Sequence, residues 1–172
     1  MSYVWIDLAL ALLILLARFF LIQLVIVKGR SMLPTLENRQ VLLVSLLDYH
    51  IRAPRRHEIV ICHYPGRRMK HIPLLQENFV KRVVGLPGET IEIVEGVVHI
   101  DGTPLEEPYL DEARRMYRGS RPPVTLGEDE YFVMGDNRPA SNDSRRVGPL
   151  PQKMIVGHVR RVLLPLSKAR RV

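Results

Sequence analysis

Tyr3 to Val27 reads YVWIDLALALLILLARFFLIQLVIV, and no other stretch constrains the fold as tightly. The only formal charges up to residue 27 are Asp7 and Arg18. A run this apolar is a membrane span, a buried core helix or a secretory leader. An arginine at mid-bilayer costs ~2.5–3.5 kcal/mol on insertion scales, against ~0.3–0.6 returned by each Leu, Ile, Phe or Val. Placing Arg18 at an interface, where its stem snorkels, is the cheaper arrangement. The run therefore predicts a membrane anchor over residues 1–20, with Tyr3 to Phe20 just long enough to cross. Leu21 to Val27 is predicted to leave the bilayer as an apolar, β-branched strand. A cleaved leader needs a basic n-region and a small-x-small site. No Lys or Arg precedes Arg18, and Phe19-Phe20-Leu21 offers no small residue.

Residues 21–172 predict a single domain of mainly β structure. Thirteen prolines and eleven glycines punctuate the chain past residue 28 at the spacing of turns between short strands. Strands are expected at Val41–Val44, Ile59–Cys62, Phe79–Val84, Tyr131–Met134 and Ile155–Val159. Thr90–Val94, the turn Glu95-Gly96, and Val97–Ile100 read as a hairpin, with Asp101-Gly102 as the next turn. Residues 104–127 are polar and poor in β-branched side chains, and predict a long excursion with a short helix over Pro108–Tyr117. One cysteine, Cys62, forms no internal disulfide, so burial must hold the core. The net charge of +7 sits past the apolar run and points to an anionic partner.

The six histidines, at 50, 57, 63, 71, 99 and 158, form no HxH or HxxxH pair, and Cys62-His63 stands alone. No metal is assigned on that pattern. Neither GxxxxGK[ST] nor GxGxxG occurs, so no cofactor is assigned.

Three segments carry chemistry. Gly29-Arg30-Ser31-Met32-Leu33-Pro34-Thr35-Leu36 places a serine in a turn just past the apolar run. Phe79-Val80-Lys81-Arg82-Val83-Val84-Gly85-Leu86-Pro87-Gly88-Glu89 sets two cations inside an apolar strand. Alternation puts Lys81 on one face with Phe79 and Val83, and Arg82 on the other with Val80 and Val84. One cation is then expected to point inward. Burial disfavours a charged lysine, whereas arginine stays charged, so only Lys81 can become a base. An edge lysine that blocks aggregation is the alternative. The third segment, Gly135-Asp136-Asn137-Arg138-Pro139-Ala140-Ser141-Asn142-Asp143-Ser144-Arg145, is a loop dense in hydrogen-bonding groups.

In this order and spacing, SMxPTL, KRVxGxPG and GDNRxxSxDSR resemble the bacterial type I signal peptidases, the membrane-bound serine proteases with a Ser-Lys dyad. The resemblance runs from the apolar segment to about Val159. It implies an antiparallel signal-peptidase/LexA-like β-sheet catalytic domain behind one N-terminal transmembrane helix. It makes Ser31 the nucleophile, Lys81 the general base and Ser141 the hydroxyl that orients the lysine. Asp143 and Arg145 match an ion pair beneath the site, with Asp136 and Arg138 supporting the same loop. Some relatives carry a donor hydroxyl where this chain has Gly29. Relatives also often carry Gly-Asp before the two strands between the first and second motifs, where this chain has Arg39-Gln40 and His57-Glu58; those turns are in question.

The implied reaction removes signal peptides from secretory preproteins after small-x-small motifs such as Ala-x-Ala. The implied partners are those peptides and the lipid bilayer, with no nucleic acid. The implied location is the cell membrane, single-pass, with the catalytic domain outside. The charge bias argues the other way, because Arg18, Lys28 and Arg30 follow the span and none precedes it. The chemistry takes precedence, since cleavage sites emerge outside. A LexA-type self-cleaving repressor shares the Ser-Lys chemistry but needs a DNA-binding module. A non-enzymatic basic β-domain would leave Ser31 and Lys81 apart, and a separation of ~2.6–3.5 Å between them decides for the dyad.

Overall fold

The apolar stretch after the expected anchor is indeed extended. In the computed structural model, which describes residues 4–10, 21–65, 77–111 and 119–172, it forms β1 (Ile22–Ile26). β1 pairs in antiparallel register with β2 (Val41–Ser45). The large sheet continues through β11 (Ile155–Leu164), β3 (Ile59–Cys62), β4 (Phe79–Gly85) and β9 (Glu130–Met134) to β10 (Leu150–Pro151), with β12 (Arg170–Arg171) on β11. A second sheet has the order β7 (Thr103–Pro104), β6 (Val97–Ile100), β5 (Thr90–Val94), β8 (Arg121–Thr125). Two short helices, α1 (Asp48–Ile51) and α2 (Ser144–Val147), flank the large sheet.

Alternation explains which faces are buried. Val25, Leu42 and Val162 lie opposite one another across three strands, and all are buried. Leu24, Leu43, Arg161 and Arg171 form the adjacent row on the outer face. Each fully buried Val or Leu contributes ~1.5–3 kcal/mol from removing its surface from water. Met32 and Leu36, from the Ser31 turn, sit in the same core cluster as Val25, Leu42, Val44 and Val159. The turn that carries the serine is therefore fixed by its neighbours' burial.

The hairpin β5–β6 closes at Glu95-Gly96 with φ of 47° and 89°, and β6–β7 closes at Asp101-Gly102 with φ of 49° and 78°. Two-residue turns of this hand need φ > 0 at both positions, which is why glycine fills the second. The two turns in question do form. They are made with non-glycine residues in the left-handed region, Arg39 at φ 69° and His57 at φ 70°, at a strain of ~1–2 kcal/mol each.

The excursion over 104–127 is partly ordered, contrary to expectation. Arg121–Thr125 returns as β8 and pairs with β5. Pro122 and Pro123 argue against a central strand, but β8 is an edge, where a missing N–H costs no ladder bond. Of the helix expected over Pro108–Tyr117, residues 108–111 are turn and irregular chain, and 112–117 lie outside the described residues. Residues 4–10 of the expected anchor are helical and exposed, and 11–20 lie outside the described residues. Among the described residues no helix is long and apolar enough to cross a membrane.

Candidate active site

Ser31 and Lys81 meet. Lys81 Nζ donates to Ser31 Oγ at 3.1 Å and to the Val80 carbonyl at 3.0 Å. β4 presents the lysine as alternation requires, with Nζ 5.8 Å from the Phe79 ring centre. Lys81 is only 3% exposed. Burial disfavours its ammonium and lowers its pKa below the usual lysine range; Cys62, Asp143 and Asp136 oppose this, and Arg145 adds to it. Burial also pushes the Cys62 thiol up to about 12, so near neutral pH it is uncharged and its opposition lapses.

Not one but both of the strand's cations point inward. Arg82 is buried on the opposite face of β4, at 7% exposure. All three of its guanidinium nitrogens are partnered there. Its Nε and Nη2 donate to the two oxygens of Asp136 at 2.9 and 2.7 Å, and its Nη1 donates to the His57 carbonyl at 2.8 Å. Asp136 therefore acts between elements, tying its loop to β4, and it also accepts from the Thr35 hydroxyl of the serine turn.

The rest of the 135–145 loop is wired in the same way. Asp143 takes two bonds from the Arg145 guanidinium, Nε to Oδ1 at 2.8 Å and Nη2 to Oδ2 at 2.7 Å, one from the Arg145 backbone N–H at 3.3 Å and one from the Gly135 N–H at 3.0 Å. Burial would raise the Asp143 carboxyl, but the Arg145 guanidinium and that N–H outweigh it and hold it below the usual range. Arg138 pairs with Glu107, from the 104–127 stretch, and its Nε donates to the Gly135 carbonyl at 3.1 Å. Ser141 packs on Gly135, where a Cβ would collide with Ser141 Oγ and the Ser31 carbonyl; that is the physical reason for a glycine there. Among the described residues the buried Ser141 hydroxyl has no hydrogen-bond partner and so makes none to Lys81.

Asn137, to which the motif gave no role, ties the loop to the serine turn. Its backbone N–H donates to the Ser31 carbonyl at 2.9 Å and its side-chain amide to the Arg30 carbonyl at 3.0 Å. Gly29 has φ +94° with open space where a Cβ would lie, and its N–H donates to Asn38 Oδ1 at 3.0 Å.

The Ser31–Lys81 pair opens onto a cleft of about 590 Å³ lined by residues 23–28 of the β1 segment, Ser31, Met32 and residues 77–81. The ladder between β4 and β9 begins only at Arg82–Met134, so among the described residues Phe79 to Lys81 pair with β3 alone and keep one backbone edge free. A strand edge beside a nucleophile is the geometry that takes up an extended peptide. Among the described residues no group of three or more His, Cys, Asp or Glu side chains is placed to hold a metal ion.

The family model described as "Signal peptidase, peptidase S26" matches residues 1–164. The chain is 40% identical over 154 residues to a probable signal peptidase I-1 of Synechocystis, covering 90% of this chain and 77% of that one. It is 35% identical over 167 residues to signal peptidase I T of Bacillus subtilis, covering 92% and 82%. A crystal structure of a signal peptidase I from Enterococcus faecalis superposes with a TM-score of 0.52 at 32% identity, covering 63% of this chain and 98% of that one.

Proposed function

The chain belongs to the signal peptidase family, peptidase S26, and is a serine endopeptidase of that family; from this premise we propose that it is anchored in the cell membrane and cuts preproteins outside it with a Ser31–Lys81 dyad. The observation that carries the reading is the 3.1 Å contact between Ser31 Oγ and the buried Lys81 amine at the cleft.

A serine hydroxyl is a weak nucleophile until a base takes its proton. Lysine serves only when neutral, and its ordinary pKa of ~10.4 must fall by roughly 2–3 units for work near pH 7–8. Burial pushes in that direction. Neutral Lys81 accepts the Ser31 proton across the existing contact, and Oγ attacks the scissile carbonyl. The Lys81 ammonium then protonates the leaving amine. Lys81, neutral again, takes a proton from the water that clears the acyl group from Ser31. The Ser31 N–H is a donor available to the developing oxyanion, and Gly29 supplies no side-chain donor. Ser141 is assigned the orienting role for the lysine, which requires its hydroxyl to turn toward Nζ. Asp143 with Arg145, and Asp136 and Arg138 with their own partners, hold the loop on which the dyad rests.

The preprotein lies extended along the free edge of residues 79–81, with alternate side chains entering the cleft. Small residues such as those of an Ala-x-Ala motif fit there because larger ones would lift the carbonyl off Ser31. Contact with the bilayer is supported by the outer face of β1, β2 and β11, where Ile22, Leu24, Ile26 and Leu164 are exposed beside Arg161 and Arg171. Apolar side chains with basic neighbours suit the headgroup boundary of anionic lipid.

The test is cleavage by the full chain, in detergent or vesicles, of a preprotein whose leader ends in Ala-x-Ala. Sequencing of the product should place the cut directly after that motif, and Ser31→Ala should yield none. Cutting elsewhere, or persistence in Ser31→Ala, would contradict the reading.

A further inference from the structure

Residues 105–111 look like a surface insertion in the sequence, but the chain folds them against the underside of the site. Glu107 is 7% exposed. Both its oxygens accept from the Arg138 guanidinium, and Oε1 also accepts from the Tyr109 hydroxyl at 2.7 Å. The Tyr109 ring lies under the Arg82 guanidinium, with Cζ 3.9 Å from the ring centre, and the His57 ring meets it edge-on at 5.5 Å. This one short segment therefore holds two of the three arginines buried around the 135–145 loop.

We propose that Glu107 and Tyr109 are positioning residues of the peptidase reaction, setting the Ser31–Lys81 geometry through Arg138 and Arg82. The proposal rests on the dyad reading above. The connection is continuous. Arg138 holds the Gly135 carbonyl, and its own carbonyl accepts from Arg145 Nη2 at 2.7 Å. Arg82 holds Asp136, Asp136 holds Thr35, and Asn137 holds the carbonyls of Arg30 and Ser31. Arg82 is also the next residue after Lys81, so a guanidinium that loses its aromatic platform moves the strand that carries the base. Displacement of reacting groups by about 1 Å can cost ~10²-fold in rate.

Charge gives the proposal a signature that a merely structural contact would lack. The groups around Lys81 are Ser31 from the turn, Cys62 from β3, and Asp136, Asp143 and Arg145 from the loop. Neutralising Glu107 leaves Arg138 as an uncompensated cation and frees it to compete with Arg82 for Asp136. Both effects disfavour the Lys81 ammonium, and they act in the same direction.

The experiment compares kcat, KM and the pH profile of kcat for the full chain on a peptide carrying an Ala-x-Ala site. Glu107→Gln should lower kcat about tenfold, leave KM nearly unchanged, and move the acid limb to lower pH. Tyr109→Leu should lower kcat similarly. Tyr109→Phe, which keeps the ring under Arg82, should fall between Tyr109→Leu and the parent. If Glu107→Gln fails to fold, the two Tyr109 variants carry the test. Parent-like kcat and pH profile in Glu107→Gln and Tyr109→Leu, or a loss confined to KM, would overturn the proposal. Activity retained by Lys81→Ala would instead overturn the dyad reading on which it rests.

Discussion

The Lys81 face of β4 and the 135–145 loop behind it handle buried positive charge in opposite ways. Around the loop, Arg82 has Asp136, Arg138 has Glu107 and Arg145 has Asp143, and each guanidinium is held by a carboxylate. Lys81 is as deeply buried, yet among the described residues no carboxylate lies within ion-pair distance, and its amine meets a hydroxyl and a carbonyl. A paired guanidinium keeps its charge and stiffens what it joins. An amine without a counter-ion is pushed toward neutrality, and neutrality is what a general base requires. Two adjacent residues of one strand are thus divided by their partners into a structural cation and a candidate catalyst.

The comparison breaks most visibly if the lysine is made like its neighbour. Lys81→Arg keeps a cation in place but cannot deprotonate, so it should lose turnover by about 10⁴-fold or more, as should Lys81→Ala. Rates are measured on purified full chain, and near-parent turnover by Lys81→Arg would remove the distinction. Next in size is a stability effect on the loop. Asp143→Asn leaves Arg145 buried without its carboxylate and should cost ~3–5 kcal/mol in denaturant unfolding.

The opposite sign is expected at Lys81. Its folded pKa lies below its unfolded value, so at pH below the folded pKa folding must bury an unwelcome charge. That penalty is relieved as pH rises from the folded value toward ~10.4. Lys81→Met should therefore stabilise the fold at neutral pH by about 1 kcal/mol or more, and less at high pH. Asp143, with its folded pKa depressed, contributes stability that is complete above the ordinary carboxylate value and is lost as pH falls through the folded one. Acid unfolding of Asp143→Asn should accordingly show a shallower pH dependence than the parent. The smallest effect lies in the backbone beside the serine turn. Arg39 is exposed at φ 69°, and Arg39→Gly should stabilise by about 1 kcal/mol by removing the strain, with turnover unchanged.

Much of this was legible because it is local. The apolar runs at 41–44, 59–62 and 79–84 have no helical period and stand between turn residues, and they formed β2, β3 and β4 at nearly those bounds. The turn Glu95-Gly96 announced its hairpin. pKa chemistry and alternation left Lys81 as the one of the two cations that could become a base, with a water-facing edge lysine as the alternative, and its assignment as the base came from the resemblance. What was not legible depends on distant partners. Nothing within 121–125 marks a strand, because Pro122 and Pro123 are tolerated only by virtue of β8 being an edge. Glu107 looks like any surface carboxylate until Arg138 arrives from 31 residues away. Arg82 could not be assigned inward while its counter-ion, Asp136, lay 54 residues on. Ser141 was expected to orient Lys81, and its buried hydroxyl packs on Gly135 without a hydrogen-bond partner among the described residues.

The most direct measurement of the central claim is the titration of the Lys81 amine itself, by isotope-edited NMR on full chain in detergent, set beside the pH profile of kcat/KM. The account predicts that the amine titrates well below the ordinary lysine value of ~10.4 and that its midpoint coincides with the acid limb of the profile. An amine that titrates at or above that value, or an acid limb that does not follow it, would contradict Lys81 as the base.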